Sequence, residues 1–374
     1  MLATDERPVG SSGAAGEARR MMEICNACRY CEGFCPVFPA MELRRAFPEG
    51  DLGYLANLCH NCKGCWHACQ YAPPHEWGLN LPKTFAELRA ETYAEHAWPQ
   101  GLGQVFERNG FVISMATAIC LGAVLVLTVL LQDRAVLYGA HSDPGAFYAV
   151  IPYQAMVWLG GLTFGWAVVA MAMGARSYWR ASGGGPLPWP ALKAALKDAG
   201  QTRHLGGGGE GCNDIDERFG VGRRHFHLAT MWGFALCFAA TCAGTVMDHL
   251  LGWQAPYSWY SAPVLLGTVG GIGLLLGTGG LFAIKFRTDR APEATARWGM
   301  DLGLLGLLHL TALTGLALLA FRHTGAMGVL LAVHLGFVLA LFVTLPYGKM
   351  VHGVYRLLAL VRYHREGHGA PSGE

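Results

Sequence analysis

Six stretches of the chain are almost wholly apolar, at 111–131, 150–173, 228–247, 262–284, 301–321 and 327–346. Each is close to the ~20 residues a helix needs to cross the hydrocarbon of a bilayer. The pattern predicts six membrane-spanning helices. Ahead of them, residues 21–100 are polar and interrupted by Pro36, Pro39, Pro48, Pro73, Pro74 and Pro82. Within that stretch, Asp51–Cys62 opens on an acidic residue and spaces Leu52, Leu55 and Leu58 at helical intervals, which predicts a short helix leading into cysteines. Residues 1–20 read as a disordered lead. The expected fold is mainly α: a small helical domain at 21–100, then a six-helix transmembrane bundle over 101–374 with a long loop at 174–227.

Charge gives the bundle its direction. The loop 174–227 carries Arg176, Arg180, Lys193, Lys197, Arg203, Arg218, Arg223 and Arg224, and 285–300 carries Lys285, Arg287, Arg290 and Arg297. The alternate connections, 132–149, 248–261 and 322–326, supply only Arg134 and Arg322. By the positive-inside rule both termini and the basic loops are expected in the cytoplasm, and the chain in the cytoplasmic (inner) membrane. The first twenty residues show no apolar stretch after a basic start, so the polar domain is expected to stay in that reducing compartment. Only 14% of residues are charged, against about 25% in soluble proteins, and a formal net charge of +2 gives no sign of a nucleic-acid partner.

Eight of the twelve cysteines lie between Cys25 and Cys69. Cys25-x2-Cys28-x2-Cys31-x3-Cys35-Pro36 is the bacterial ferredoxin run, in which three thiolates grip one [4Fe–4S] cube and the fourth reaches the other. Cys59-x2-Cys62-x2-Cys65-x3-Cys69 repeats the spacing, with Gln70 where proline usually stands. The rule puts Cys25, Cys28, Cys31 and Cys69 on one cluster and Cys59, Cys62, Cys65 and Cys35 on the other. Two structural zinc sites are the competing reading, but zinc ribbons use separated pairs and have no use for a third cysteine at the same interval. A small domain so rich in cysteine is expected to be held together by its metal.

Histidine is costly inside a membrane and is a common axial ligand of haem iron. His227 opens the third apolar run and His249 closes it; 22 residues at 100° each leave them about 40° apart around a helix. His334 and His352 are 18 residues apart, five whole turns, and share a stripe if the sixth helix continues past Pro346, which is able to kink it. Matching by depth pairs His227 with His352 and His249 with His334, so two bis-histidine haems b in series are expected. His309 and His323 are reserve ligands; His225, His364 and His368 are read as solvated. Gly206-x-Gly208-x-x-Gly211 matches a dinucleotide fingerprint in form only, since no strand precedes it, and that loop is read as a flexible cap over the membrane face. Cys120, Cys237 and Cys242 are read as packing residues.

The doubled cysteine run, the loop LGGGGEGCNDIDERFGVGRRHFH (205–227) and the end PYGKMVHGVYR (346–356) resemble the tricarballylate, or citrate, utilisation protein B family, over about residues 20 to 365. The resemblance implies an electron carrier that reoxidises the reduced flavin of a cytoplasmic FAD-dependent dehydrogenase and delivers electrons to membrane quinone. A related arrangement is fused to the flavoprotein in a cobalamin-biosynthesis enzyme. The His334/His352 spacing is also similar to that in the haem-binding gamma subunit of respiratory nitrate reductase. A heterodisulfide-reductase-like or nitrate-reductase-like membrane anchor is the alternative, the former disfavoured because no Cys-Cys-Gly motif occurs. A zinc-stabilised scaffold without redox chemistry is a third reading. No hydrolytic triad, Walker loop or flavin fold is visible, so no stand-alone dehydrogenase is expected.

Overall fold

The computed structural model describes residues 13–367. Five helices build the cysteine-bearing domain: α1 Ala14–Cys28, α2 Val37–Glu42, α3 Glu49–Leu58, α4 Gly64–His67 and α5 Leu81–Glu95. The first begins at Ala14, so the lead expected over 1–20 is shortened from its far side, and residues 1–12 fall outside the described part. Asp51–Cys62 is helical only to Leu58: Cys59 turns extended, and Asn61 and Lys63 take positive φ, which frees the second cysteine run to curl back on itself.

Six helices long and apolar enough to cross a membrane follow, and the chain is a membrane protein. They are α6 Asn109–Leu131, α9 Tyr153–Ala181, α11 Gly222–Leu251, α12 Ala262–Arg287, α13 Trp298–Phe321 and α14 Met327–Thr344. The short helices α7 Arg134–Leu137 and α8 Ala146–Val150 lie in the connection after α6, α10 Trp189–Gly200 lies between α9 and α11, and α15 Val351–Arg365 closes the described chain. Among the described residues the β pairing is confined to one bridge, Cys212 with Gly220. Every connection after an odd span lies far from the cysteine domain, where Gly145 N donates to Ala255 O at 2.7 Å and Arg322 to Tyr257 O at 2.8 Å. We call that the far end and the domain side the near end.

Glycine sets how closely two spans approach. A Cβ at Gly270 of α12 would lie 2.8 Å from Gly233 O, and one at Gly233 of α11 would lie 2.7 Å from Leu274 N. Side chains of any size there would force α11 and α12 apart. Gly271, in contrast, faces Leu316 of α13.

The cysteine domain is not closed by its own residues. Its core of Met21, Met22, Phe38, Leu52, Leu55 and Phe85 is completed by Ala191 and Ala195 of α10 and by Ala359, Leu360 and Val361 of α15. Ion pairs fasten α15 in place: Arg362 to Asp51 at 2.5 Å and Arg44 to Glu366 at 2.7 Å. The sixth span therefore does not run on. It breaks through a short turn at Leu345–Tyr347, and α15 leaves the bundle to pack on the domain, so His334 and His352 sit on different helices. Pro346 lacks the amide that would continue the helix.

Candidate functional site

The eight cysteines converge where the domain meets the near end of the bundle. Cys25 and Cys28 occupy the last turn of α1, and Arg29, left-handed at φ 54°, swings the chain so that Cys31 returns toward them. The thiols sort into two neighbourhoods. Burial, then Cys31, Cys69 and Cys28, push the Cys25 thiol up to about 12. Cys35 rises well above its ordinary value through burial, then Cys62 and Cys59, and Cys65 through burial, then Cys62, Cys35 and Cys59. Crowded thiols resist ionisation beside one another, and a metal that binds thiolate removes the penalty. Cys69 lies near the first run and Cys35 near the second, while Cys31 faces both groups, acting on Cys35 and Cys65 and being acted on by Cys62.

The donor set fits an iron–sulfur cube better than a single ion. One zinc would draw its ligands to roughly 3.8 Å from each other, whereas no three His, Cys, Asp or Glu side chains among the described residues gather closely enough for one metal ion. A cavity of about 40 Å³ is lined by Cys25, Cys28, Cys31 and Cys69, together with Cys65. The Asn61 amide lies 3.4 Å from Cys59 Sγ, a donor of the kind that tunes cluster thiolates. Cys28 is exposed while Cys59 and Cys62 are buried, so the first quartet faces outward and the second faces the bundle.

Three arginines from distant parts of the chain close on the loop of the second quartet. Arg89 of α5 donates to Cys59 O at 2.9 Å and Ala56 O at 3.1 Å. Arg223 of α11 donates to Asn61 O at 2.7 Å and His60 O at 2.9 Å. Arg356 of α15 donates to Cys59 O at 2.8 Å and Asn57 O at 3.3 Å. The loop 205–221 also folds over this quartet, with Asn213 N donating to Cys62 O at 2.9 Å. It caps the cysteine domain, not the membrane face. Cys212, buried in that loop, followed by the Gly64 amide and Arg223, brings Cys62 down to about 6 against the opposing effect of burial.

One helical turn from two of these arginines stand two of the expected haem ligands. His227 follows Arg223 by four residues on α11, His352 precedes Arg356 by four on α15, and their ring centres are 6.2 Å apart with planes at 82°. A metal held between two imidazole nitrogens at about 2 Å on each side needs ring centres roughly 6 Å apart. His352 donates through Nδ1 to Lys349 O at 2.5 Å, which leaves the Nε2 lone pair for a metal. His227 Nδ1 is buried without a hydrogen-bond partner. Burial, then Arg356 and His227, hold the His352 pKa well below its ordinary value, so the ring is neutral.

A chain of buried charges links the same two places. Lys63 pairs with Glu293 at 2.8 Å, Glu293 with Lys285 at 2.6 Å, Lys285 with Asp301 at 2.9 Å, and Asp301 with Lys349 at 2.6 Å. It starts inside the second cysteine run and ends on the residue whose carbonyl orients His352.

The far end is different. His249 takes Tyr153 as a partner, with its Nε2 2.8 Å from the phenol oxygen, and His334 takes Thr314 at 3.2 Å; no ring contact joins the two histidines among the described residues. The expected outer pair is thus not formed. His309 meets Thr278 at 2.9 Å and His323 meets Arg322 at 3.1 Å. His225 is exposed, but His364 is buried against Asp198 at 2.9 Å, contrary to the solvated reading; His368 lies outside the described residues.

Residues 18–95 match the family described as the citrate utilization protein B Fer4-like domain, and residues 101–372 match citrate utilization protein B. The chain belongs to the citrate utilization protein B family. A relative of that name from Escherichia coli is 45% identical over 352 residues, 93% of this chain and 91% of the relative. No solved structure matches. Membership with a Fer4-like domain makes iron–sulfur binding and electron transfer the coarse role of the chain. What the sequence reading missed in this family's site is the arginine clamp, Cys212 and the ion chain. The arginine at four residues from each near-end histidine, on the domain side in both cases, was the signal available for the clamp.

Proposed function

We propose that the protein takes electrons from a reduced cytoplasmic flavoprotein of the tricarballylate dehydrogenase type and passes them through two [4Fe–4S] clusters and haem b to the membrane quinone. The supporting observation is the meeting of the second cysteine quartet with the His227–His352 pair across Arg223 and Arg356. Clusters and haem, when bound, supply one-electron chemistry, which the chain's own side chains lack. Cys25, Cys28, Cys31 and Cys69 would hold the outward cluster, where a flavoprotein docks. Cys35, Cys59, Cys62 and Cys65 would hold the inward one. His227 and His352 would hold the haem iron, with Lys349 O fixing the tautomer of His352 and the ion chain fixing Lys349. The basic loops support a cytoplasmic near end under the positive-inside rule. The protein alone would oxidise no organic acid.

The test is the purified protein in detergent, mixed with a reduced flavoprotein of that type while the haem band is followed. Reduction of the haem, lost in both His227→Ala and His352→Ala, is the expected result. Failure to reduce with clusters and haem both present would leave a membrane anchor with no such electron path.

A further inference from the structure

The helix α10, Trp189–Gly200, has two unlike faces. Ala191, Ala195 and Asp198 are buried, the alanines in the core of the cysteine domain and Asp198 against His364 of α15 at 2.9 Å. The opposite face is bare. Trp189 is 69% exposed and Leu196 48%, and Leu187, just before the helix, is exposed as well. Single apolar residues are ordinary on a soluble surface, but a tryptophan and a leucine sharing one helix face, with a second leucine at its start, mark a contact surface.

The direction of that face is fixed at the C-terminal end of the helix. Trp189, Lys193, Leu196 and Gly200 fall within about 60° of one another around a helix, opposite Ala191, Ala195 and Asp198. A Cβ at Gly200 would lie 3.8 Å from Trp232 Cζ2, and Trp232 Nε1 donates to Gly200 O at 3.1 Å. Trp232 stands one turn inside the third apolar run, 228–247, and is exposed on its span. That is the place of an aromatic-belt residue at the edge of the hydrocarbon. Arg224 of the same span donates to Gln201 O at 3.3 Å. So α10 has the cysteine domain on one face and the level of the bilayer surface on the other. Its cations suit that surface. Lys193 lies on the bare face and Lys197 at its margin, both exposed, and neither has an ion-pair partner among the described residues. The one acidic residue of the helix, Asp198, is on the buried side.

We infer that α10 is an in-plane interfacial helix, with Trp189 and Leu196 at the headgroup boundary of the near-end leaflet and Lys193 and Lys197 pairing the phosphates of acidic phospholipids. Helices that lie in the interface carry Trp and Leu on the lipid face and Lys beside them. A lysine stem covers apolar surface while its ammonium reaches a charged headgroup. The same helix gives Ala191 and Ala195 to the domain core, so the lipid surface becomes part of what seats the cysteine domain over the bundle.

The experiment uses the full chain, grown with 5-fluorotryptophan and placed in nanodiscs containing phosphatidylglycerol, and follows its tryptophans by fluorine NMR. Trp189→Phe, Trp232→Phe and Trp77→Phe identify three signals, and Trp77, exposed on the cysteine domain, is the water-facing reference. The expected result is that a nitroxide-bearing lipid broadens Trp189 as it does Trp232, while a water-soluble gadolinium chelate broadens Trp77 and spares Trp189. Lys193→Gln combined with Lys197→Gln, or nanodiscs of phosphatidylcholine alone, should cut the lipid-induced broadening of Trp189 about two-fold and leave Trp232 unmoved. Both lysines are on the surface, and an unchanged iron content and Trp232 signal show that the variant has folded. Broadening of Trp189 by the chelate and not by the lipid overturns the inference. Protection from both reagents overturns it too, since a second copy or a soluble protein then covers the face. A Trp189 signal indifferent to both lysines and to lipid charge overturns the phosphate pairing.

Discussion

At the near end of the bundle His227 and His352 face one another at 6.2 Å, each with an arginine one turn away, whereas at the far end His249 and His334 are held apart by separate partners, Tyr153 and Thr314. The near end is built from charge: three arginines on one loop and a five-residue ion chain. The far end is built from apolar walls around open space, with one buried guanidinium. A shared helical face on α11 thus gives two unlike environments. What separates them is the extra-membrane structure at one end, where α15 and the cysteine domain bring counter-groups that a bilayer alone does not provide.

That contrast can be broken in four ways, in order of expected effect. Cys62→Ser should remove the inward cluster and unfold much of the domain, since metal binding supplies about 10 kcal/mol or more in small metal-held domains. Iron and sulfide analysis with circular dichroism checks it, and a fully folded domain with unchanged iron would refute it. Glu293→Gln leaves Lys63 buried without its partner, a loss of about 3–5 kcal/mol for a buried pair and a clear fall in thermal midpoint.

The same carboxylate sets a pH limit. Burial alone would raise Glu293, but Lys285 and Lys63 outweigh it and bring it from 4.5 to about 2. Its folded pKa is depressed, so its stabilisation is complete above pH 4.5 and fades as pH falls toward 2. Thermal melts at stepped pH should show an acid limb in that window that is shallower in Glu293→Gln.

Arg356→Gln removes two charged hydrogen bonds to the second quartet's loop and should cost about 1–3 kcal/mol. Its sharper readout is the reduction potential of the inward cluster, which should fall when a nearby cation is lost, while the outward cluster is unmoved. His249→Phe should change least, by under about 1 kcal/mol, and leave all haem spectra intact, because its contacts are an exposed hydrogen bond to Tyr153 and the Asp248 carboxylate at 3.6 Å. A lost haem in that variant would restore the outer pair and erase the distinction between the ends.

The six spans were legible because ~20 apolar residues have few alternatives to a membrane helix. The Fer4-like domain was legible because the spacing of its cysteines along the chain is itself the signature of that chemistry. The near-end histidine pair was found for a partly mistaken reason. Matching by depth put His227 beside His352 but not His249 beside His334, and the continuous stripe through His334 did not exist once the helix broke at Leu345–Tyr347. Angular arithmetic places a residue on a face and says nothing of which neighbour covers that face. It therefore could not reveal Thr314 behind His334. Nor could it assign α10 and α15 to the cysteine domain, because their small buried residues, Ala191, Ala195 and Ala359, look the same in a linker as in a core.

The arginine clamp also has a consequence in time. Arg356 bonds to the carbonyl of Cys59, a residue 297 positions earlier. With synthesis at about 5–20 residues per second, the loop of the second quartet exists for roughly a quarter of a minute to a minute before its last clamp emerges. During that interval α15, which completes the domain's core, is also missing. The nascent domain cannot mature alone and wait for its membrane half. On the proposed reading, cluster delivery to the inward quartet would follow insertion of the bundle, and a chain truncated before Val351 should reach the membrane without that cluster.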